Sequence, residues 1–243
     1  MDGHDQDVPE ALGHPASSPM PPTLWTVVLE AGAGTETALE RLCRLYWLPI
    51  NAYLRRWGYN EHDAEDFTQT FLAHLLAKDR LAGIRRDKGR FRSYLLGALR
   101  NFVIDHNVRK RRLETLPLQA ETPGDDRVRE PVDPARTPEE EFERRFSLSL
   151  IQHALDRTRD DYSQRGQAER FDALRQFLPG EEPSCSQAEI GLRLGIPEGA
   201  VAKAVHDLRR RFAQAYRDAV RQTVNTSGEV DDEIKHHMAV LSR

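Results

Sequence analysis

Apolar residues recur along most of this chain at steps of three and four, the spacing of buried helix faces. From Leu24 to about Arg112 the pattern is helical, with Gly58 and Gly83 as punctuation. In ALERLCRLYWLPINAYLRRWG, Leu39, Leu42, Leu45, Tyr46, Ile50, Tyr53, Leu54 and Trp57 share one predicted face, and Pro49 predicts a kink or a division. NEHDAEDFTQTFLAHLLA follows, with Phe67, Phe71, Leu72, Leu75 and Leu76 on one side. In GRFRSYLLGALRNFVIDHNVRKRR, Phe91, Tyr94, Leu95, Ala98, Leu99, Phe102 and Val103 repeat in the same way.

Two stretches break the pattern. Residues 1–22, rich in Pro, Asp, Gly and Ser, bury little apolar surface and are expected to form a disordered tail. Residues 113–136 hold four prolines and an acidic excess, the composition of a flexible, extended linker. Helix resumes with Thr137, Pro138 and Glu140, which fit an N-cap, a first turn and a capping box. It runs to about Leu178; LPGEEPSC reads as a loop, and Ser186 with Glu189 forms a second capping box. Residues 222–243 read as a short polar tail of mixed charge. With no internal repeat and no alternating β-branched run, the expected fold class is all-α. Two helical domains, 23–112 and 137–221, are joined by the linker.

The segment SQAEIGLRLGIPEGAVAKAVHDLRRRF sharpens this picture. Ile190, Leu194, Ile196, Val201 and Val205 suit two short helices around a small core. Gly191 falls where they would cross, Gly195 falls in the turn, and Pro197 opens the second helix. This is a helix-turn-helix pattern, whose second helix enters the DNA major groove. Its exposed positions would be Glu198, Ala202, Lys203, His206, Asp207, Arg209 and Arg210. Early ones would reach base edges, while Arg209, Arg210 and Arg211 would meet phosphates. The plainer alternative is a helical hairpin with a solvated basic end.

Global charge hides a segregation. The formal net charge is −4, yet between Arg85 and Arg112 ten Arg and Lys residues face only Asp87 and Asp105. Such a stripe is an electrostatic footprint for nucleic acid. Phe91 and Tyr94 lie beside Lys88, Arg90 and Arg92, and aromatics among cations can stack the bases of a separated strand. Packing is the competing reading for these rings, and the better one for Phe102. Asp63, Asp66 and Gln69 (or Thr70) fall together on a helix, away from the Phe67/Phe71 face. They suit either the helix dipole or a basic partner helix; metal ligation by the two aspartates lacks supporting histidine spacing nearby. Cys43 and Cys185 are far apart and read as free thiols in a reducing cytosol. No apolar run approaches a bilayer span and no charged-then-apolar leader is present, so a cytoplasmic protein without membrane contact is expected.

Taken in order, HDAEDFTQTFLAHLL, FRSYLLGALRNFVIDHNVRKRR and AEIGLRLGIPEGAVAKAVHDLRRRF resemble bacterial RNA polymerase sigma factors of the extracytoplasmic-function type, over about residues 24–112 and 139–221. EVDDEIKHHMAVLS is similar to the tail of a subgroup with a long linker. The resemblance implies a region-two bundle at 23–112 that binds core polymerase and opens the minus-ten promoter element. It implies that Asp63, Asp66 and Gln69 meet the clamp helices of the largest subunit. The loop around Arg85–Arg90 and the helix bearing Arg100, Asn101 and Asp105 match the part that captures a flipped base. The minus-ten set is then Lys88, Arg90, Phe91, Tyr94, Arg100, Asn101, Asp105, Arg109, Lys110, Arg111 and Arg112. Residues 186–212 resemble region four, which reads the minus-thirty-five element and touches the polymerase flap. There the chain departs from the family: Ala202 stands where a basic residue is frequent, and Asp207 where many have Arg.

The implied activity is promoter selection and opening without catalysis, cofactor or metal. The implied partners are core RNA polymerase, promoter DNA as duplex and separated strand, and an anti-sigma factor encoded elsewhere. Two other classes compete. A stand-alone helix-turn-helix regulator would need a dimer and a palindromic site, and the chain shows no heptad seam, so a monomer is expected when free. A metal hydrolase using Asp231, Asp232, His236 and His237 is the remote alternative, since adjacent helical histidines point roughly 100° apart.

Overall fold

The structure, a computed structural model, describes residues 35–76, 90–114 and 136–243, with Leu76 and residues 109–114 described by backbone alone. The expected tail 1–22, Lys88 and nearly all of the linker lie outside the described residues. Among the described residues the regular structure is helical, with no strand. Helices α1 (Glu36–Arg56), α2 (Glu61–Leu76) and α3 (Phe91–Glu114) precede segment 115–135. After it come α4 (Pro138–Gln164), α5 (Ala168–Leu174), α6 (Gln187–Leu194), α7 (Glu198–Thr223) and α8 (Val230–Leu241), with short 3-10 turns at Arg175–Phe177 and Ser227–Glu229.

Local chemistry sets the helix ends. Thr137 accepts from the Glu140 amide at 3.2 Å while Glu140 accepts from the Thr137 amide at 2.9 Å, a reciprocal box that opens α4. Ser186 and Glu189 repeat it at α6, and the Ser186 amide and hydroxyl, both donating to Glu189, hold its carboxyl below the ordinary range. α6 ends at Gly195, whose φ of 65° is left-handed, and the Ile196 amide reaches back to the Gly191 carbonyl at 2.9 Å. α1 runs unbroken through buried Pro49, so the expected division is absent. Buried Tyr46, Ile50 and Tyr53 flank that proline, and tertiary packing on both sides holds the helix across the missing hydrogen bond. Trp57, expected on the buried face, is 40% exposed because it lies past the last helical residue.

Packing departs most from the two-lobe expectation. The larger core takes side chains from both sides of segment 115–135: Ile50 from α1, Phe71 from α2, Phe91 and Leu95 from α3, Phe146 from α4, Val220 from α7. At its centre Tyr46 stacks on Phe146 with centroids 5.4 Å apart and meets Phe91 edge-on at 5.5 Å. Aromatic pairs of this kind contribute about 0.5–1.5 kcal/mol each beyond area burial. A second core gathers Tyr162, Phe171, Leu174, Ile190, Val201 and Leu208 around the α6–α7 turn. The two cores meet within α4, between Ala154 and Tyr162, and within α7, between Leu208 and Ala215, rather than dividing at 113–136. Segment 222–243 also differs from the expected tail. Its helix α8 places Val230, Glu233 and His237 inward against the larger core.

Candidate nucleic-acid interface

Two surfaces carry the residues singled out by the sequence. The first is the helix-turn-helix of α6 and α7. A Cβ on Gly191 would stand 2.8 Å from the Ile196 carbonyl oxygen, so only glycine lets the chain turn back this closely. The crossing leaves Ala202, Lys203, His206 and Arg210 exposed along one side of α7. Asp207 is half-buried between His206, at 4.0 Å, and Arg210, at 3.6 Å, so part of its charge is answered within the helix.

The arginines expected at phosphates divide by role. The Arg209 Nε donates to the Phe177 carbonyl at 2.9 Å. Arg211 pairs with Asp161 at 2.8 Å and lies over the Tyr162 ring at 5.9 Å. Both therefore tie α7 to the elements behind it. Arg209 nevertheless remains exposed, and Arg210, 71% exposed, carries no such tie to the elements behind α7.

The second surface is a groove of about 740 Å³ between α2 and α3. Tyr94, Asn101 and Asp105 from α3 meet Thr70 and His74 from α2 there, over a floor that includes Phe102. Phe102 is half-buried and packs edge-on against Phe71 at 5.4 Å. Tyr94 is 42% exposed. A phenol ring, a carboxamide and a hydroxyl around one apolar floor suit a planar group with a polar edge. Arg100 is exposed next to Asn101. Also on α2, Asp66 and Gln69 are exposed, and Asp66 lies 3.8 Å from the His62 imidazole. Asp63 is half-buried: its amide donates to the Asn60 side chain at 2.8 Å and its carboxylate accepts from Asn60 at 3.1 Å, so the pair caps α2.

One expected strand contact is corrected, and two cations beside it already hold carboxylates. Phe91 is 1% exposed, locked against Tyr46, so it cannot stack a base. Arg92 is 6% exposed and pairs with Glu143 and Glu233. Arg90 spans 2.5 Å to Glu233. Arg109, Lys110, Arg111 and Arg112 continue α3, and their side chains, like all of Lys88, lie outside the described residues.

The network around Glu233 was not foreseen. Glu233 and His237, one turn apart on α8, are both fully buried, with the His237 Nε2 3.2 Å from the Glu233 carboxylate and its Nδ1 3.1 Å from the Tyr216 hydroxyl. Burial pushes the Glu233 carboxyl up, but the His237 hydrogen bond and the charges of Arg92, His237 and Arg90 hold it down at about 2. Burial, with Glu233 nearby, pushes the Tyr216 phenol up to about 12. The residues weighed as metal ligands go to separate partners: His236 faces Glu143 at 3.4 Å, and Asp231 pairs with Arg217 at 2.5 Å. Cys43 and Cys185 are free and half-buried.

Among the described residues no helix is long and apolar enough to cross a membrane. No family model, curated protein or solved structure matches this chain.

Proposed function

We propose that this chain is a promoter-specificity subunit of the sigma-factor type, which binds core RNA polymerase, directs it to particular promoters and helps open the DNA. The observation that carries this reading is the pairing of two unlike surfaces among the helices described: a helix-turn-helix and the Tyr94–Asn101–Asp105 groove. In this reading Lys203, His206 and Arg210 face duplex DNA, with Arg210 on phosphate. Tyr94 and Asn101 hold a base turned out of the stack, and Arg100 follows its backbone. The work is done by binding: contacts to the separated strand offset a few kcal/mol of unstacking per step. Asp66 and Gln69 form the polymerase-facing edge, where an exposed carboxylate supplies specificity more than affinity. The protein acts in the cytoplasm as a monomer until polymerase binds it, and an anti-sigma protein would act on it from outside.

The test is co-purification with core RNA polymerase followed by transcription from a genomic DNA library. Tight binding with discrete new start sites is expected, and Asp66→Arg should abolish it while the helical circular dichroism stays unchanged. Duplex binding by the protein alone, with no affinity for polymerase, would overturn the proposal in favour of a stand-alone helix-turn-helix regulator.

A further inference from the structure

Helix α8 is anchored in an unusual way. Of its three buried residues only Val230 is apolar; the other two are Glu233 and His237. Half-buried Ile234 adds to the apolar contact. Most of the remaining attachment is polar: Glu233 to Arg90 and Arg92, His237 to Tyr216, Asp231 to Arg217, His236 to Glu143. Desolvating such charges costs much of what their attraction returns, so a polar dock is specific in position yet weak for its size. An apolar stripe would hold a purely structural helix better.

Where the dock lies matters more. Arg90 immediately precedes α3, one turn before Tyr94, which lines the groove, and its side chain is one-third exposed. Glu233 therefore fills, from inside the chain, a guanidinium that a phosphate would otherwise take.

We infer that α8 is an autoinhibitory latch in which the Glu233 carboxylate occupies Arg90, and that a nucleic-acid strand entering the α2/α3 groove must displace it. This rests on the strand-binding reading of that groove. Phosphate and carboxylate are both oxyanions, and Arg donates to either through the same fork of N–H groups. Arg92 belongs to the latch rather than to the competition, because it is buried and keeps Glu143 when Glu233 leaves. A latch closed nine-tenths of the time or more lowers the apparent affinity for the strand at least about tenfold.

The experiment uses the full chain and a fluorescein-labelled, mixed-sequence single-stranded DNA oligonucleotide at low salt. Glu233→Gln should bind it about tenfold more tightly than the unaltered chain, and the gain should vanish when Arg90→Gln is added. Asp231→Asn, which loosens only the exposed Arg217 pair, should give a smaller gain and serves should Glu233→Gln fail to fold. Hydrogen exchange of the unaltered protein gives an independent readout: amides of α8 should lose protection when the oligonucleotide is added. Tight strand binding with α8 protection unchanged, or equal affinities for all variants, would overturn the latch and leave the groove assignment standing. No strand binding by any variant would overturn the groove assignment itself, and the latch with it.

Discussion

Replacing Glu233 by Gln removes one buried charge while keeping nearly the same shape. In the folded protein its carboxyl is held at about 2, against an ordinary 4.5. At about 1.4 kcal/mol for each unit of difference, the charge contributes roughly 3 kcal/mol to stability at neutral pH. Breaking a buried ion pair from one side costs about 3–5 kcal/mol. The lower end applies because Arg90 is partly hydrated and Arg92 retains Glu143. The sign follows from a depressed carboxylate. Its contribution is complete above the ordinary value and is lost as pH falls through the folded value, so under half remains at about pH 3. Urea unfolding of the unaltered protein and of Glu233→Gln, followed by circular dichroism, should therefore show a gap of roughly 3 kcal/mol at neutral pH that narrows on acidification. A gap under about 1 kcal/mol, the range of a surface pair, or one that stays constant down to about pH 3, would refute the reasoning.

Phe91 and Tyr94 separate packing from recognition. Phe91→Ala should cost about 3–5 kcal/mol of stability by opening a cavity beside Tyr46, as urea unfolding would measure. Tyr94→Ala should leave stability nearly unchanged and weaken single-strand binding by about 1–3 kcal/mol in a fluorescence titration. Asn101→Ala should weaken promoter opening, read by permanganate reactivity of unpaired thymines, more than it weakens duplex binding. Gly191→Ala should destabilise the helix-turn-helix by about 1–3 kcal/mol through overpacking against the Ile196 carbonyl, less the helix preference of Ala. Thermal unfolding would show it, together with weaker duplex binding.

The parts of this molecule that the sequence disclosed are those settled within a few residues. Two capping boxes, the Gly195 turn and the Gly191 crossing depend on neighbours three to five positions away, and each occurs where the pattern placed it. Phe91 and Tyr94 show where that reach ends. Both sit among cations at helical spacing, and the core built by other helices, Tyr46 of α1 among it, decides that one is core and the other surface. The composition of residues 113–136 carries no information on where the chain returns. Stacking of Tyr46 on Phe146 sets that, and it merges helices from both sides into one core. Helix α8 was the hardest case because its inward face reads Val, Glu, Ile, His at positions 230, 233, 234 and 237. The spacing is that of a buried face, yet hydropathy counts two of its four members as surface residues. Only partners far away in the chain bring those two inside: Arg92 lies 141 positions from Glu233. A buried carboxylate is stable only where cations already wait for it, so its position marks the cations it needs. The Arg90 and Arg92 pair at the head of α3 thus explains why a polar C-terminal segment folds back at all. It also ties that segment to Arg90, one helical turn before Tyr94 in the groove that the proposed function requires to be open.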